Sequence, residues 1–467
     1  MRRLSALDAS FASLDSPSTP MEVGMACTFD PATAPGDWSI GDIRRTVEER
    51  LPLVPPFRRR LVDVPGRFHR PVWIEEPRFD LDRHVRPQEM PPSAGTSELA
   101  DLSAEIIGKR LDRNRPLWEM RLVEGMEDGQ AAAVTKVHHA AIDGVSGAEA
   151  TVRLLDFEPS PEPVLPDDEW EADPEPQSSS LVADAMGELG RLPGEAARHL
   201  SRTAKAGLQF WRHARQAAGE RLPAPFAGPR TSINRPLTGR RSVAYTKVEL
   251  PAIRPLRDLG TTVNDIVLAL SAGALRRYLG RRGERPDHPL VAAVPVSVRT
   301  DDEGGAMGNR LSGLLVDLAT EVDDPIERLR RISAGARTAK ERDQMLGPDA
   351  VSSLAELAPP ALLTTLSAMD DKLGLSGHLP PLCNVVVSSF PGPAEPLYFA
   401  GAKMTAAYPL GPLVPGSGLN ITVQSYLDTL WFGLVACPDV IYDVGEVAAD
   451  LDGALEELLD GAAIAAT

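Results

Sequence analysis

The sequence predicts an α/β protein built as two regions of mixed sheet and helix. Three observations predict it. Short β-branched apolar runs alternate with longer runs of helical period on both sides of the chain centre. The two regions are separated by a stretch that no core absorbs. Glu158 to Pro176 holds eight acidic residues, six prolines and no basic residue, so it reads as an exposed linker. Finally, 467 residues with 43 % hydrophobic content suffice for two ordinary domains and a large buried core.

In chain order, Leu4 to Pro20 (LSALDASFASLDSPSTP) is turn-rich, and Glu22 to Phe29 is a strand. Ile40 to Leu51 has helical spacing behind a Ser39 cap. Arg58-Arg59-Arg60 is a basic run that reads as a solvated face or a phosphate contact. Arg67 to Ile74 reads as a strand, and Thr96 to Leu111 as an amphipathic helix with Leu99, Leu102, Ile106 and Ile107 on one side. Trp118 to Val123 and Ala131 to His138 form a hairpin across Glu127-Asp128-Gly129. Pro116 fixes the chain direction before it, and Trp118 is a large buried anchor.

Beyond the linker, Leu181 to Leu222 has helical propensity, with seven Arg or Lys against four Asp or Glu. It reads either as a packed helix with a solvated basic face or as a contact for an anionic lipid surface. The second region has a strand at Ser242 to Leu250, a helix at Thr262 to Leu279 and strands at Leu290 to Val298 and Gly313 to Leu318. A charged helix follows from Pro325 to about Met345, and a strand at Leu382 to Ser388. A hairpin, Leu419 to Leu427 with Leu430 to Ala436, precedes a closing helix at Val444 to Leu459. The domain reading is 1–157, a linker and basic helix at 158–235, and 236–467.

The net charge of −17 and a pI near 5.0 argue against nucleic acid as a partner, since phosphate backbones need a basic face. Cys27, Cys383 and Cys437 are far apart and form no CxxC, so they read as buried thiols in a reducing compartment. No apolar run reaches transmembrane length, and MRRLSALDAS lacks a signal core. A cytoplasmic location, or one on a membrane face open to the cytoplasm, is expected.

The chemistry centres on Val137-His138-His139-Ala140-Ala141-Ile142-Asp143-Gly144. His139 stands where a buried strand becomes a loop and then a helix. Adjacent strand side chains point to opposite faces, so His138 and His139 hardly share one metal ion, and no HExxH supplies others. No metal is expected. Two structural histidines remain one reading. A Ser or Cys nucleophile is another, but no GxSxG is present. The third is His139 as a base acting directly on a substrate hydroxyl, amine or thiol, with His138 facing the interior and Asp143 pairing with an arginine to hold the loop. No GxGxxG or GxxxxGK[ST] supports a nucleotide fold.

HHAAIDG resembles the HHxxxDG signature of the CoA-dependent acyltransferase superfamily. The rest of the chain narrows the resemblance. Asn114-Arg115-Pro116-Leu117-Trp118-Glu119 looks like the PLW motif of the bacterial wax ester synthase/diacylglycerol acyltransferase family, and Asn264-Asp265 looks like its ND motif. The opening LSALDASFASLDSPSTPMEVG, Val294 to Arg299, Gly308-Asn309, Ser388 to Pro393 and Leu419 to Thr422 are similar to it too, in the family's order. Two positions depart: Glu22 stands where many members have histidine, and Ser389 where asparagine is common, and both are expected to alter the acceptor pocket.

The resemblance implies two chloramphenicol-acetyltransferase-like α/β domains with an active-site tunnel at their interface. It implies an acyl-CoA donor as substrate, no cofactor, and diacylglycerol or a long-chain alcohol as acceptor, giving triacylglycerol or wax ester. His139 is then the base, Asn264 and the Gly144 amide the oxyanion donors, Asp265 a positioning residue and Arg299 the partner of Asp143. Pro116, Leu117 and Trp118 serve packing. Peripheral contact with the inner face of the plasma membrane or with lipid inclusions is expected, through Leu181 to Leu222. The alternatives are a related acyltransferase with a non-storage acceptor or a carrier-protein donor, and a non-catalytic lipid-binding protein.

Overall fold

The computed structural model describes residues 1–36, 38–142, 150–161, 172–189, 227–285, 287–297, 311–346 and 360–465. Its strands begin with β1 (Arg2–Arg3), β2 (Glu22–Asp30), β3 (Arg59–Val62), β4 (Val72–Glu75), β5 (Val85–Pro87), β6 (Trp118–Val123) and β7 (Ala131–His138). They continue with β8 (Ser242–Glu249), β9 (Val291–Ser297), β10 (Leu311–Asp317), β11 (Val385–Phe390), β12 (Tyr398–Phe399), β13 (Ala402–Leu410), β14 (Leu419–Tyr426) and β15 (Thr429–Ala436). The helices used below are α1 (Ala6–Leu14), α2 (Ile40–Arg50), α3 (Thr96–Ile107) and α4 (Ser178–Leu189). After them come α5 (Val263–Arg281), α6 (Pro325–Leu346), α7 (Pro360–Leu373) and α8 (Val444–Ala465).

Two six-stranded sheets carry the fold, in the orders β12-β13-β2-β7-β6-β5 and β10-β9-β11-β14-β15-β8. A small third sheet runs β1-β4-β3. In the first large sheet β2 lies between β13 and β7, antiparallel to both. In the second, β11 is parallel to β9 and β14. The first sheet draws β12 and β13 from late in the sequence, so the second half of the chain donates strands to the first lobe. The sheets also touch at β13. A Cβ at Gly433 of β15 would lie 1.8 Å from the Pro409 carbonyl oxygen, so only glycine permits that approach.

The core of the second lobe is organised by α5. Ile266, Val267, Leu270, Ala274, Leu275 and Tyr278 are buried as the helical spacing predicts. Leu268, Ala269 and Ala272 on the other side are buried too, because α5 is wedged between the sheet and two further helices, α6 and α8. Where α8 crosses it, a Cβ at Gly273 would meet the Ala454 Cβ at 2.6 Å. Thr262 caps α5, accepting from the Asp265 amide at 3.2 Å, while Asp265 accepts from the Thr262 amide at 2.9 Å.

The opening segment differs from its turn-rich reading. Ala6–Leu14 is a helix, started by Ser5, whose Oγ accepts from the Asp8 amide at 3.1 Å. Small residues hid its period: Ala6, Leu7, Ala9 and Ala12 are buried. The strand expected over 67–74 is only Val72–Glu75, since Pro65–Arg67 is a turn of 3-10 helix. Helix α3 stops at Ile107, four residues short of expectation. Its last carbonyls are met by the buried Lys136, whose Nζ donates to the Ile106 carbonyl at 2.7 Å. Of the basic segment 181–222 only α4, which starts at Ser178, lies within the described residues. There Leu181 packs on Val72 and Ile74.

Candidate active site

Strand alternation separates the two histidines. Ala133, Thr135, Val137 and His139 share one face of β7 and its extension, and all four line a cavity of about 1020 Å³. His138 continues the opposite face and is 1 % exposed against 9 % for His139. The end of β7 is fixed on both sides. The His138 amide donates to the Leu117 carbonyl at 2.9 Å, and the His139 amide to the Met21 carbonyl at 2.8 Å.

The PLW residues therefore act through packing. Trp118 is 1 % exposed, sandwiched between Phe57 and His84 with ring centroids 4.4 and 4.7 Å away. Its Nε1 donates to the Phe57 carbonyl at 2.8 Å. Leu117 is buried beside Ala140 and the α1 residues Ala9 and Ala12, and Pro116 is buried next to it. None of the three lines the cavity.

His138 sits in a buried polar cluster. Its Nδ1 accepts from the Ala140 amide at 3.0 Å, and its Nε2 lies 3.7 Å from Asp15 Oδ2. Arg110 Nε reaches both Asp15 carboxylate oxygens at 3.0 Å. Burial alone would raise the Asp15 carboxyl, but the hydrogen bonds and charges of His138 and Arg110 outweigh it and bring it to about 2. Glu22 faces His138 across the β2–β7 pair and accepts from the Leu111 amide at 2.9 Å. Burial, with Asp15 nearby, raises its carboxyl against the opposing pull of His138 and Lys136. Glu22 does not line the cavity, so this departure from the family pattern lies on the far side of β7 and not in the cavity.

His139 faces the other way. Its ring stacks on Phe11 of α1, centroids 4.0 Å apart and planes at 11°. Both Leu7 and Phe11 line the cavity, so the helix missed in the sequence forms part of the wall beside the histidine. Its signal was the S-x-x-D cap.

The second lobe contributes Asn264, Asp265 and Ser389 to the same cavity. Ser389 Oγ donates to Asn264 Oδ1 at 2.8 Å, which leaves the Asn264 amide nitrogen as the free end of that side chain. Asp265 is committed to its cap and to Ser333, whose Oγ donates to it at 3.0 Å. Asp143, Gly144 and Arg299 lie outside the described residues, and so does the ion pair expected between two of them. The Arg58–Arg60 run is partly buried and already paired with carboxylates. Arg58 and Arg59 reach Glu75 at 3.7 and 2.7 Å, and Arg60 reaches Glu76 at 2.6 Å and Glu175 at 2.7 Å.

A cavity lined from both sheets, with a histidine on one wall and an asparagine amide on another, suits a bimolecular group transfer. The family profile of the wax ester synthase/diacylglycerol acyltransferase catalytic domain matches residues 4–267, and that of the family's C-terminal domain matches residues 307–459. The chain belongs to the wax ester synthase/diacylglycerol acyltransferase family. It is accordingly an O-acyltransferase, and the non-catalytic reading falls away.

A Mycobacterium tuberculosis protein bearing the name diacylglycerol O-acyltransferase is 34 % identical over 466 residues, covering 98 % of this chain and 90 % of its own. The wax ester synthase/diacylglycerol acyltransferase of Marinobacter aquaeolei VT8 superposes with a TM-score of 0.70 at 30 % identity, covering 99 % of this chain and all of that one. The first condensation domain of the calcium-dependent antibiotic synthetase shares the fold, with a TM-score of 0.60 at 16 % identity over 99 % of this chain and 97 % of that one.

Proposed function

We propose that this enzyme transfers a long-chain acyl group from acyl-CoA to the hydroxyl of diacylglycerol or a long-chain alcohol, giving triacylglycerol or wax ester. The observation that carries this is the placement of His139, and not His138, on the wall of a largely apolar cavity. A volume of about 1020 Å³ lies at the upper end of ordinary ligand pockets and accommodates apolar chains from both substrates. The lining residues Phe57, Met120, Leu154 and Phe399 suit an alkyl tail.

In this mechanism the neutral His139 imidazole takes the acceptor hydroxyl proton as the oxygen attacks the thioester carbonyl. The tetrahedral oxyanion takes a hydrogen bond from Asn264 Nδ2, oriented by Ser389, and from the Gly144 amide. Collapse breaks the carbon–sulfur bond, and the imidazolium returns its proton to the CoA thiolate. Ester and free CoA leave, and the histidine is again neutral. Asp143 and Arg299 hold the loop. No cofactor enters the cycle.

No helix among the described residues is long and apolar enough to cross a membrane. Contact with the water-insoluble acceptor is placed, in this reading, at the inner membrane face or a lipid inclusion. The exposed apolar row Leu362, Leu366, Met369 and Leu373 of α7 supports this reading. An acceptor panel tests the whole: purified enzyme with palmitoyl-CoA and either diacylglycerol or hexadecanol should form the corresponding ester. Absence of product from both would overturn it.

A further inference from the structure

The cavity has a polar end that the chemistry above does not use. It is made by one face of α6. Ser333, Ala336, Arg337 and Lys340 line the cavity, at the i, i+3, i+4 and i+7 positions that share one face of a helix. Ser333 anchors this face to the start of α5 through Asp265, next to Asn264. Lys340 is seven residues further on, roughly 10 Å along the helix axis. Both Arg337 and Lys340 are exposed, so they stand where the cavity meets solvent.

Two features mark this pair. Arg337 and Lys340 are the basic side chains other than His139 among the described residues that line the cavity. Neither has an ion-pair or hydrogen-bond partner among the described residues. The Arg58–Arg60 run, by contrast, is matched by carboxylates. Asp265, the carboxylate that lines the cavity nearby, is already occupied by the Thr262 amide and Ser333.

We infer that Arg337 and Lys340 bind the phosphate groups of the acyl donor, and that the donor enters along the α6 face with its thioester reaching inward to Asn264 and His139. This rests on the acyl-CoA reading above. The chemistry fits: a guanidinium gives paired donors to phosphate oxygens, and an ammonium one turn away supplies a mobile point charge. Opposite charges at an exposed mouth also steer a polyanion inward, with a strong dependence on salt.

The test compares wild type with the doubly reversed variant, Arg337→Glu with Lys340→Glu, using two donors. One is palmitoyl-CoA. The other is the palmitoyl thioester of N-acetylcysteamine, which keeps the thioester and lacks the phosphates. With palmitoyl-CoA the variant should show a KM raised by about tenfold or more, a kcat within about twofold, and a loss of the salt dependence of kcat/KM seen in wild type. With the phosphate-free thioester the two proteins should be alike, which also reports that the variant is folded. CoA itself should bind wild type at least about tenfold more tightly than the variant in direct titration.

Wild-type turnover of palmitoyl-CoA with an unchanged KM and CoA affinity in the variant would overturn the inference and leave the reaction intact. A wild type that neither binds CoA nor uses palmitoyl-CoA would overturn both. Equal losses with both donors would assign α6 a structural role and reject phosphate binding.

Discussion

Phe11 lies flat against His139, with ring centroids 4.0 Å apart and planes within 11°. The contact ties α1 of the N-terminal segment to the strand end that carries the proposed base. It restricts rotation of the imidazole while leaving its edge toward the cavity. Such a stack contributes about 0.5–1.5 kcal/mol. Phe11→Ala should therefore lower kcat by up to about tenfold, and Phe11→Tyr should retain most activity. Stopped-flow or steady-state measurement of CoA release decides, and an unchanged kcat for Phe11→Ala would deny the ring a positioning role.

Asn264 is the side-chain candidate for the oxyanion. Asn264→Ala should lower kcat by about 10²–10³-fold with little change in the affinity for CoA. Ser389→Ala removes the hydroxyl that holds Asn264 Oδ1 and should cause a smaller loss in the same direction. If Ser389→Ala were as damaging as Asn264→Ala, the hydroxyl itself would be the more important donor.

Asp15 links α1 to His138 and Arg110, and its carboxyl titrates at about 2 in the folded protein against an ordinary 3.8. A depressed folded value means the unfolded chain binds the proton more readily. Stability from this group is then fully present above about pH 4 and is lost as the pH falls through about 2, amounting to about 2 kcal/mol. Acid titration of the unfolding free energy should show that loss in wild type and not in Asp15→Asn. Identical acid limbs would remove Asp15 from the list of stabilising carboxylates.

The α7 row is testable apart from the chemistry. Its inner side is bound to α1, where Ser367 Oγ donates to the Leu14 carbonyl at 3.1 Å. Its outer side carries Leu362, Leu366, Met369 and Leu373. Leu366→Glu with Met369→Glu should weaken flotation with diacylglycerol-containing vesicles and reduce turnover there, while activity on a detergent-dispersed alcohol persists. Unaltered flotation would move the lipid contact elsewhere.

Much of the scaffold was legible because local signals agree with tertiary demands. Helix α5 has a capping pair at Thr262 and Asp265 and an apolar period, and β6–β7 is a hairpin with a glycine turn. The opposite fates of His138 and His139 followed from the two-residue repeat of a strand alone. The exchange of β13 into the first sheet was not legible, since nothing local says which sheet a strand joins. Helix α1 was hidden by small and polar residues that also favour turns. Arg337 and Lys340 looked like any solvated charges on a helix, because their distinction is their place on the cavity lining, a property of the folded neighbourhood. The acyl group and the lipid alcohol came from the family resemblance, not from spacing.

The most direct test of the proposed mechanism is the rate of CoA release from palmitoyl-CoA and hexadecanol in wild type, His139→Ala and His138→Ala, each checked for native folding. Loss of the base should cost on the order of 10²–10⁴ in rate for His139→Ala, and a folded His138→Ala should keep substantial turnover. A His139→Ala enzyme that retains most of its CoA release would contradict the assignment of the base.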